Sequence, residues 1–185
     1  SHKMRIIILL DRSGSMTSNI RQTMDGYNEF LANQRQLQND EECLVSLYTF
    51  SSDIQIVYED RPVSQAGELT RANYMPEGGT ALYDSLAYVL YKIKDTDTRT
   101  ILLVITDGEE NGSREYSSSD IRTMLEDKNE LLEVVYLGSN QDSILAGHSI
   151  GSQVSVNYND NHTELLYRNL SAAVTRVRSG FSPSI

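Results

Sequence analysis

Asp11, Ser13 and Ser15 stand at alternate positions of Asp11-Arg12-Ser13-Gly14-Ser15, directly after the apolar run Ile6-Ile7-Ile8-Leu9-Leu10. One carboxylate and two hydroxyls are thereby set on a tight, Gly-containing turn at the end of a buried strand. Closely packed hard-oxygen donors suit a small divalent cation such as Mg2+, which takes oxygen ligands at short distance and keeps several waters. Two distant segments carry further donors of the same kind, Thr80 after Gly78-Gly79 and Asp107 before Gly108. Asp11, Ser13, Ser15, Thr80 and Asp107 together supply two carboxylates and three hydroxyls, with no imidazole or thiolate. That set is unlike the His and Cys ligands that zinc prefers.

Each donor also has a plainer reading. Ser13 and Ser15 suit turn positions that satisfy backbone groups, Thr80 suits a helix cap, and Asp107 before Gly108 suits an Asx-type turn. Their coincidence at one edge of a sheet is what favours the cation. That coincidence depends on the elements that position them.

Apolar blocks and helical patterns alternate along the chain. Arg5 to Leu10 reads as a central strand buried on both faces. A helix follows, capped by Thr17 or Ser18, with Ile20, Met24, Tyr27 and Leu31 on its inner face. Leu44 to Phe50 is a second strand, and Ile54 to Tyr58 a third. The short Ser51-Ser52-Asp53 connection makes that pair an antiparallel hairpin, whose odd strand belongs at a sheet edge. The segment from Arg61 to Gly79 lacks periodicity and is the natural partner-reading region. Thr80 opens a helix with Leu82, Leu86, Val89 and Ile93 inward. Asp84 in its first turn offsets the helix dipole.

Thr100 to Thr106 forms the fourth strand, and Ser117 with Asp120 a capping-box start to another helix. Leu132 to Leu137 is a fifth strand, Gln141 to Ser149 a short helix, and Val154 to Val156 a small sixth strand. A last helix opens at Asn161 and Glu164. The expected fold class is α/β: a doubly wound, mostly parallel six-stranded sheet with one antiparallel edge strand and helices on both faces. The chain reads as one domain, residues 1–185, with 1–4 as a tag remnant and 180–185 as a frayed tail. In open sheets of this class ligands bind beyond the carboxyl ends of the strands, where the strand order reverses. The loops carrying Asp11, Thr80 and Asp107 would meet there.

The 185 residues carry a net charge of −10, which opposes the Lys- and Arg-driven affinity of nucleic-acid binding. Hydrophobic residues at 39% and charged residues at 23% suit a soluble globular domain. A single cysteine, Cys43, excludes an internal disulfide and reads as a small buried apolar group. No stretch approaches a membrane span, and no leader is visible, so the expected location is the cytoplasm.

With these residues in view the chain resembles the von Willebrand factor type A (vWA) family. Asp11-Arg12-Ser13-Gly14-Ser15 is similar to its Asp-x-Ser-x-Ser element. Gly78-Gly79-Thr80-Ala81-Leu82-Tyr83-Asp84 is similar to its threonine loop, and Ile105-Thr106-Asp107-Gly108 to its aspartate loop. The resemblance covers nearly the whole chain and extends to the stand-alone bacterial or phage members. It implies a metal-ion-dependent adhesion site. The serines and threonine would hold Mg2+ or Mn2+, with Ca2+ as a third option, and the aspartates would act partly through water. It further implies a protein partner that completes the shell with an Asp or Glu, in an ATPase-, kinase- or phosphatase-associated system. Gly79, Glu109, Glu110 and Asn140 are the candidate rim of the partner surface, and Asn111 lies beside them.

The chief competing reading is a Mg2+-dependent hydrolase of the haloacid-dehalogenase type. Such chemistry needs a second acid two residues after the nucleophile. Ser13 holds that position, so the expectation is a binding module rather than an enzyme. Nucleophile-elbow and GxxxxGK loops are absent from the sequence.

Overall fold

The computed structural model describes residues 2–37, 41–93, 98–106, 110–128, 131–138, 154–157 and 174. Six strands, β1 (His2–Asp11), β2 (Glu41–Phe50), β3 (Ile54–Pro62), β4 (Arg99–Thr106), β5 (Leu132–Gly138) and β6 (Val154–Asn157), form one sheet in the order β3-β2-β1-β4-β5-β6. Every pairing is parallel except the β2–β3 hairpin, which puts the antiparallel strand at the edge. Three α-helices are described: α1 (Ile20–Arg35), α2 (Leu82–Lys92) and α3 (Ser118–Glu126).

The alternation of side chains along β1 explains the layering. Met4, Ile6, Ile8 and Leu10 pack with Tyr27, Phe30 and Leu31 of α1. Ile7 and Leu9 point the other way and pack with Leu82, Leu86, Val89 and Leu90 of α2 and Ile121 of α3. A strand buried on both faces must be apolar at every position, and β1 is so from Ile6 to Leu10. Val174 is helical and buried on the α1 side. Cys43 is buried in β2.

β1 lies between β2 and β4, so the strand order reverses there. The β1–β4 register ends at Leu10 opposite Ile105. One step further it brings Asp11 level with Thr106.

Several local expectations are corrected. Neither Thr17 nor Ser18 caps α1. The chain first winds a 3-10 helix over Gly14–Asn19, whose N-cap is Ser13, and α1 begins from Asn19. The Thr17 hydroxyl donates to the Gly14 carbonyl (2.7 Å) inside that turn. β3 runs on to Pro62, past the expected end at Tyr58. A bulge within the β2–β3 pairing adds length that strict alternation does not predict. β1 starts at His2, so residues 2–4 are part of the sheet and Met4 is buried in the core. The capping box at Ser117 is present, with both reciprocal bonds to Asp120. The expected helices at 141–149 and from Asn161, apart from Val174, lie outside the described residues, as does the tail 180–185. No helix among the described residues is long and apolar enough to cross a membrane.

Candidate metal centre and its seat

Asp11 ends β1 fully buried, and its carboxylate is fixed at both oxygens. The Ser13 N–H donates to Oδ1 (2.6 Å) and the Thr106 hydroxyl donates to Oδ2 (2.6 Å). The first bond closes the turn of the Asp-x-Ser-x-Ser stretch. The second joins the end of β1 to the end of β4, as the register requires. A carboxylate removed from water needs such partners, because an unpaired buried charge is costly.

Ser13 is buried and Ser15 exposed, and their Oγ atoms are 3.0 Å apart. That spacing tests the fit of a cation on this chain. Neighbouring ligands of an octahedral ion at 2.0–2.1 Å lie about 3 Å from each other, so both hydroxyls could share one small ion. The exposure of Ser15 means that the donor set opens outward at the carboxyl edge of the sheet.

The threonine loop is drawn to this turn through main-chain contacts. The Gly14 N–H donates to the Gly78 carbonyl (3.0 Å), and the Glu77 N–H donates to the Arg12 carbonyl (2.8 Å). Gly78 has φ +79°, a left-handed conformation that glycine adopts without strain. Thr80 is nearly fully buried and held through its backbone. Its N–H donates to Asn111 Oδ1 (2.8 Å), and its carbonyl accepts the N–H groups of Asn111 (2.9 Å) and Gly112 (3.1 Å). Thr80 is not the cap of α2. The N-cap is Ala81, which makes no side-chain cap bond.

Of the expected site residues, Asp11, Ser13, Ser15 and Thr80 are brought to one edge by these contacts. Asp107, Glu109 and Asn140 lie outside the described residues. Thr106, adjacent to Asp107, is bonded to Asp11. Among the expected rim residues, Gly79 donates its N–H to Ser52 Oγ (3.1 Å), and a Cβ there would come within 3.0 Å of Asn111 Oδ1. The Glu110 carboxylate accepts the Ser113 N–H (2.9 Å) and so braces its own loop.

Three supporting residues were not distinguished from the sequence. Tyr74, fully buried, donates its hydroxyl to the Asp11 carbonyl (2.9 Å), so the pattern-free segment anchors the site. Asn111, although exposed, clamps the threonine loop through its side-chain oxygen. Asp84 does more than offset a dipole: its carboxylate accepts the N–H groups of Arg114 (2.8 Å), Glu115 (3.1 Å) and Tyr116 (3.0 Å). A carboxylate in the first turn of α2 followed by a loop rich in polar residues was the available signal for that last role. Behind Asp11, the Tyr136 hydroxyl is buried and takes no hydrogen bond among the described residues. Burial, with smaller contributions from Tyr83 and the Asp11 carboxylate, pushes its pKa well above the ordinary tyrosine value.

The model of the family described as VWA domain containing CoxE-like protein matches residues 1–142. No curated protein is significantly similar to the chain in sequence. Among solved structures the chain is similar to the ArnB paralog VWA2 from Sulfolobus acidocaldarius, with TM-score 0.66 and 19% identity over 94% of this chain and 45% of that one. It is similar to the pilus adhesin SpaC from Lactobacillus rhamnosus GG in its open conformation, with TM-score 0.71 and 15% identity over 96% of this chain and 30% of that one. Proximal thread matrix protein 1 from the mussel byssus, with a zinc-occupied MIDAS motif, gives TM-score 0.66 and 15% identity over 95% of this chain and 48% of that one. The chain thus spans less than half the length of each of these three structures. At these identities the likeness is one of fold.

Proposed function

Because the chain belongs to the family of VWA domain containing CoxE-like proteins, we propose that the carboxyl edge of its sheet is a metal-dependent protein-binding site. Asp11, Ser13, Ser15, Thr80 and Asp107 would hold the ion, which when bound offers an open position to an acidic side chain. The observation that carries this reading is the Ser13–Ser15 hydroxyl pair, 3.0 Å apart beside a carboxylate buried at the switch point. With the neutral hydroxyls as direct donors and the aspartates acting partly through water, much of the cation's charge would stay uncompensated, which favours an external carboxylate. Without a cation the net charge of −10 would repel an acidic partner, so the ion acts as an on-switch.

The hard-oxygen donors favour Mg2+ or Mn2+, with Ca2+ third. The zinc in the mussel protein's MIDAS makes Zn2+ the comparison metal. Isothermal titration with each ion, on the wild type and on Asp11→Ala and Ser13→Ala, tests the ligand set. Saturable binding lost in both variants supports it; equal affinity in Asp11→Ala rejects it. A phosphatase reading has less support, because Ser13, where proton transfer needs an acid, is hydrogen-bonded to Ser15.

A further inference from the structure

A cavity of about 380 Å3 opens beside the Asp-x-Ser-x-Ser turn, between the β2–β3 hairpin and the chain leading to the threonine loop; Arg12, Asp53, Ile54, Met75 and Glu77 are among the residues that line it. Arg12 links it to the candidate metal centre, since it lies between Asp11 and Ser13 in sequence and its carbonyl accepts the Glu77 N–H. We infer that this cavity receives a lysine or arginine side chain that the partner carries close to its metal-seeking acid.

The charges lining the cavity decide the sign. The Arg12 guanidinium is 11% exposed; one terminal nitrogen donates to Asp53 Oδ1 (2.6 Å) and its Nε is buried without a hydrogen-bond partner among the described residues, so little of its charge is presented to solvent. Asp53 is 80% exposed and keeps most of its carboxylate surface toward solvent. Glu77 is exposed and has no ion pair among the described residues. An incoming acid would meet two carboxylates and a guanidinium that is already paired. An incoming ammonium or guanidinium would meet two accessible carboxylates, on a chain of net charge −10. Met75, 60% exposed, and the half-buried Ile54 supply apolar surface along which the methylene stem of Lys or Arg can lie. The cavity therefore suits a long basic side chain better than a short polar or an acidic one.

This inference rests on the proposed metal-dependent capture of an acid, and the test separates the two. The probes are short acetylated, amidated peptides with one Asp and one Lys at several spacings. Controls replace the Lys with Gln or Glu, or the Asp with Asn. The full chain, labelled at its methionine methyls, is titrated by NMR in Mg2+ and in EDTA, with the Met75 methyl as reporter of the cavity. The expected result is that one spacing of the Asp–Lys peptide binds in Mg2+ about fivefold more tightly than its Gln control and shifts the Met75 methyl. Glu77→Lys, an exposed charge reversal, should abolish that gain and transfer it to the Asp–Glu peptide. The inference is overturned if Asp peptides bind in a Mg2+-dependent way at every spacing without any gain from Lys. It is equally overturned if Glu77→Lys leaves the Lys gain intact. If instead no peptide binds in a Mg2+-dependent way, the metal-capture reading fails, and the acid-linked form of this inference fails with it.

Discussion

Asn111 and Thr80 grip each other reciprocally. The Asn111 side-chain oxygen accepts the Thr80 N–H at 2.8 Å, while the Asn111 N–H donates to the Thr80 carbonyl at 2.9 Å. A residue from the loop after β4 thereby fixes the residue before the N-cap of α2, and two segments of the candidate centre are held as one piece. Asn111→Ala keeps the backbone bond but strands the buried Thr80 N–H, at a cost of about 1–3 kcal/mol. Urea denaturation should show that loss, and Mn2+ affinity by titration should fall along with it. Asn111→Asp, which retains the acceptor, should recover most of the stability.

Thr106 donates to the Asp11 carboxylate within the protein, so Thr106→Val removes a bond to a buried charged group. The expected loss is about 2 kcal/mol, measured by urea denaturation in EDTA. Thr106→Ser, which restores the donor, should regain it. An unchanged midpoint for Thr106→Val would show that the bond has no net worth.

Asp84 receives three successive N–H groups from residues 114–116. Asp84→Ala should cost about 1–2 kcal/mol, less than a fully buried site because two of the three bonds are exposed. Hydrogen exchange should speed up at Arg114, Glu115 and Tyr116 while the β4 amides stay protected.

Tyr136 gives a prediction in alkali. Its pKa is raised in the folded protein, chiefly by burial, from an ordinary value of 10.0. The folded state therefore holds the phenolic proton more tightly than the unfolded chain does. Stability is fully present below about pH 10 and is lost as pH rises from there toward the folded value. Tyr136→Phe should flatten this alkaline loss in thermal melts taken on either side of pH 10. Because the hydroxyl lacks a hydrogen bond among the described residues, the variant should also be at least as stable as wild type at neutral pH. A steeper alkaline loss in Tyr136→Phe would contradict this account.

Much of the architecture was legible because it depends on short-range patterns. The unbroken apolar run of β1 announced a strand buried on both faces, and Ser51-Ser52-Asp53 announced the hairpin. Ser117 with Asp120 announced the start of α3. The convergence of the loops carrying Asp11 and Thr80 followed from placing β1 beside β4, a topological inference. What stayed hidden depends on contacts far apart in sequence. Tyr74 reaches Asp11 across 63 residues, and no periodicity signals a single hydroxyl donating to a carbonyl. The 3-10 turn after Ser13 displaced the expected cap, because the Asp11–Ser13 and Ser13–Met16 bonds wind the chain before an α-helix can begin. Asn111 stood among acidic neighbours that suggested a surface role; it is exposed, and its side-chain oxygen also accepts the Thr80 N–H, a contact that no local pattern signals.

Two ties from the Tyr74–Gly78 stretch to the Asp11–Gly14 turn are made by main-chain atoms, the Glu77 amide and the Gly78 carbonyl. Such atoms survive a change of side chain, apart from proline at position 77 and any side chain at Gly78, whose φ of +79° suits glycine. The outward-facing residues there, Met75 and Glu77 among them, are free to drift while the Asp11–Gly14 turn keeps its shape. Under the proposed function, new specificities would therefore arise in this stretch by simple substitution, with no rebuilding of the scaffold beneath it.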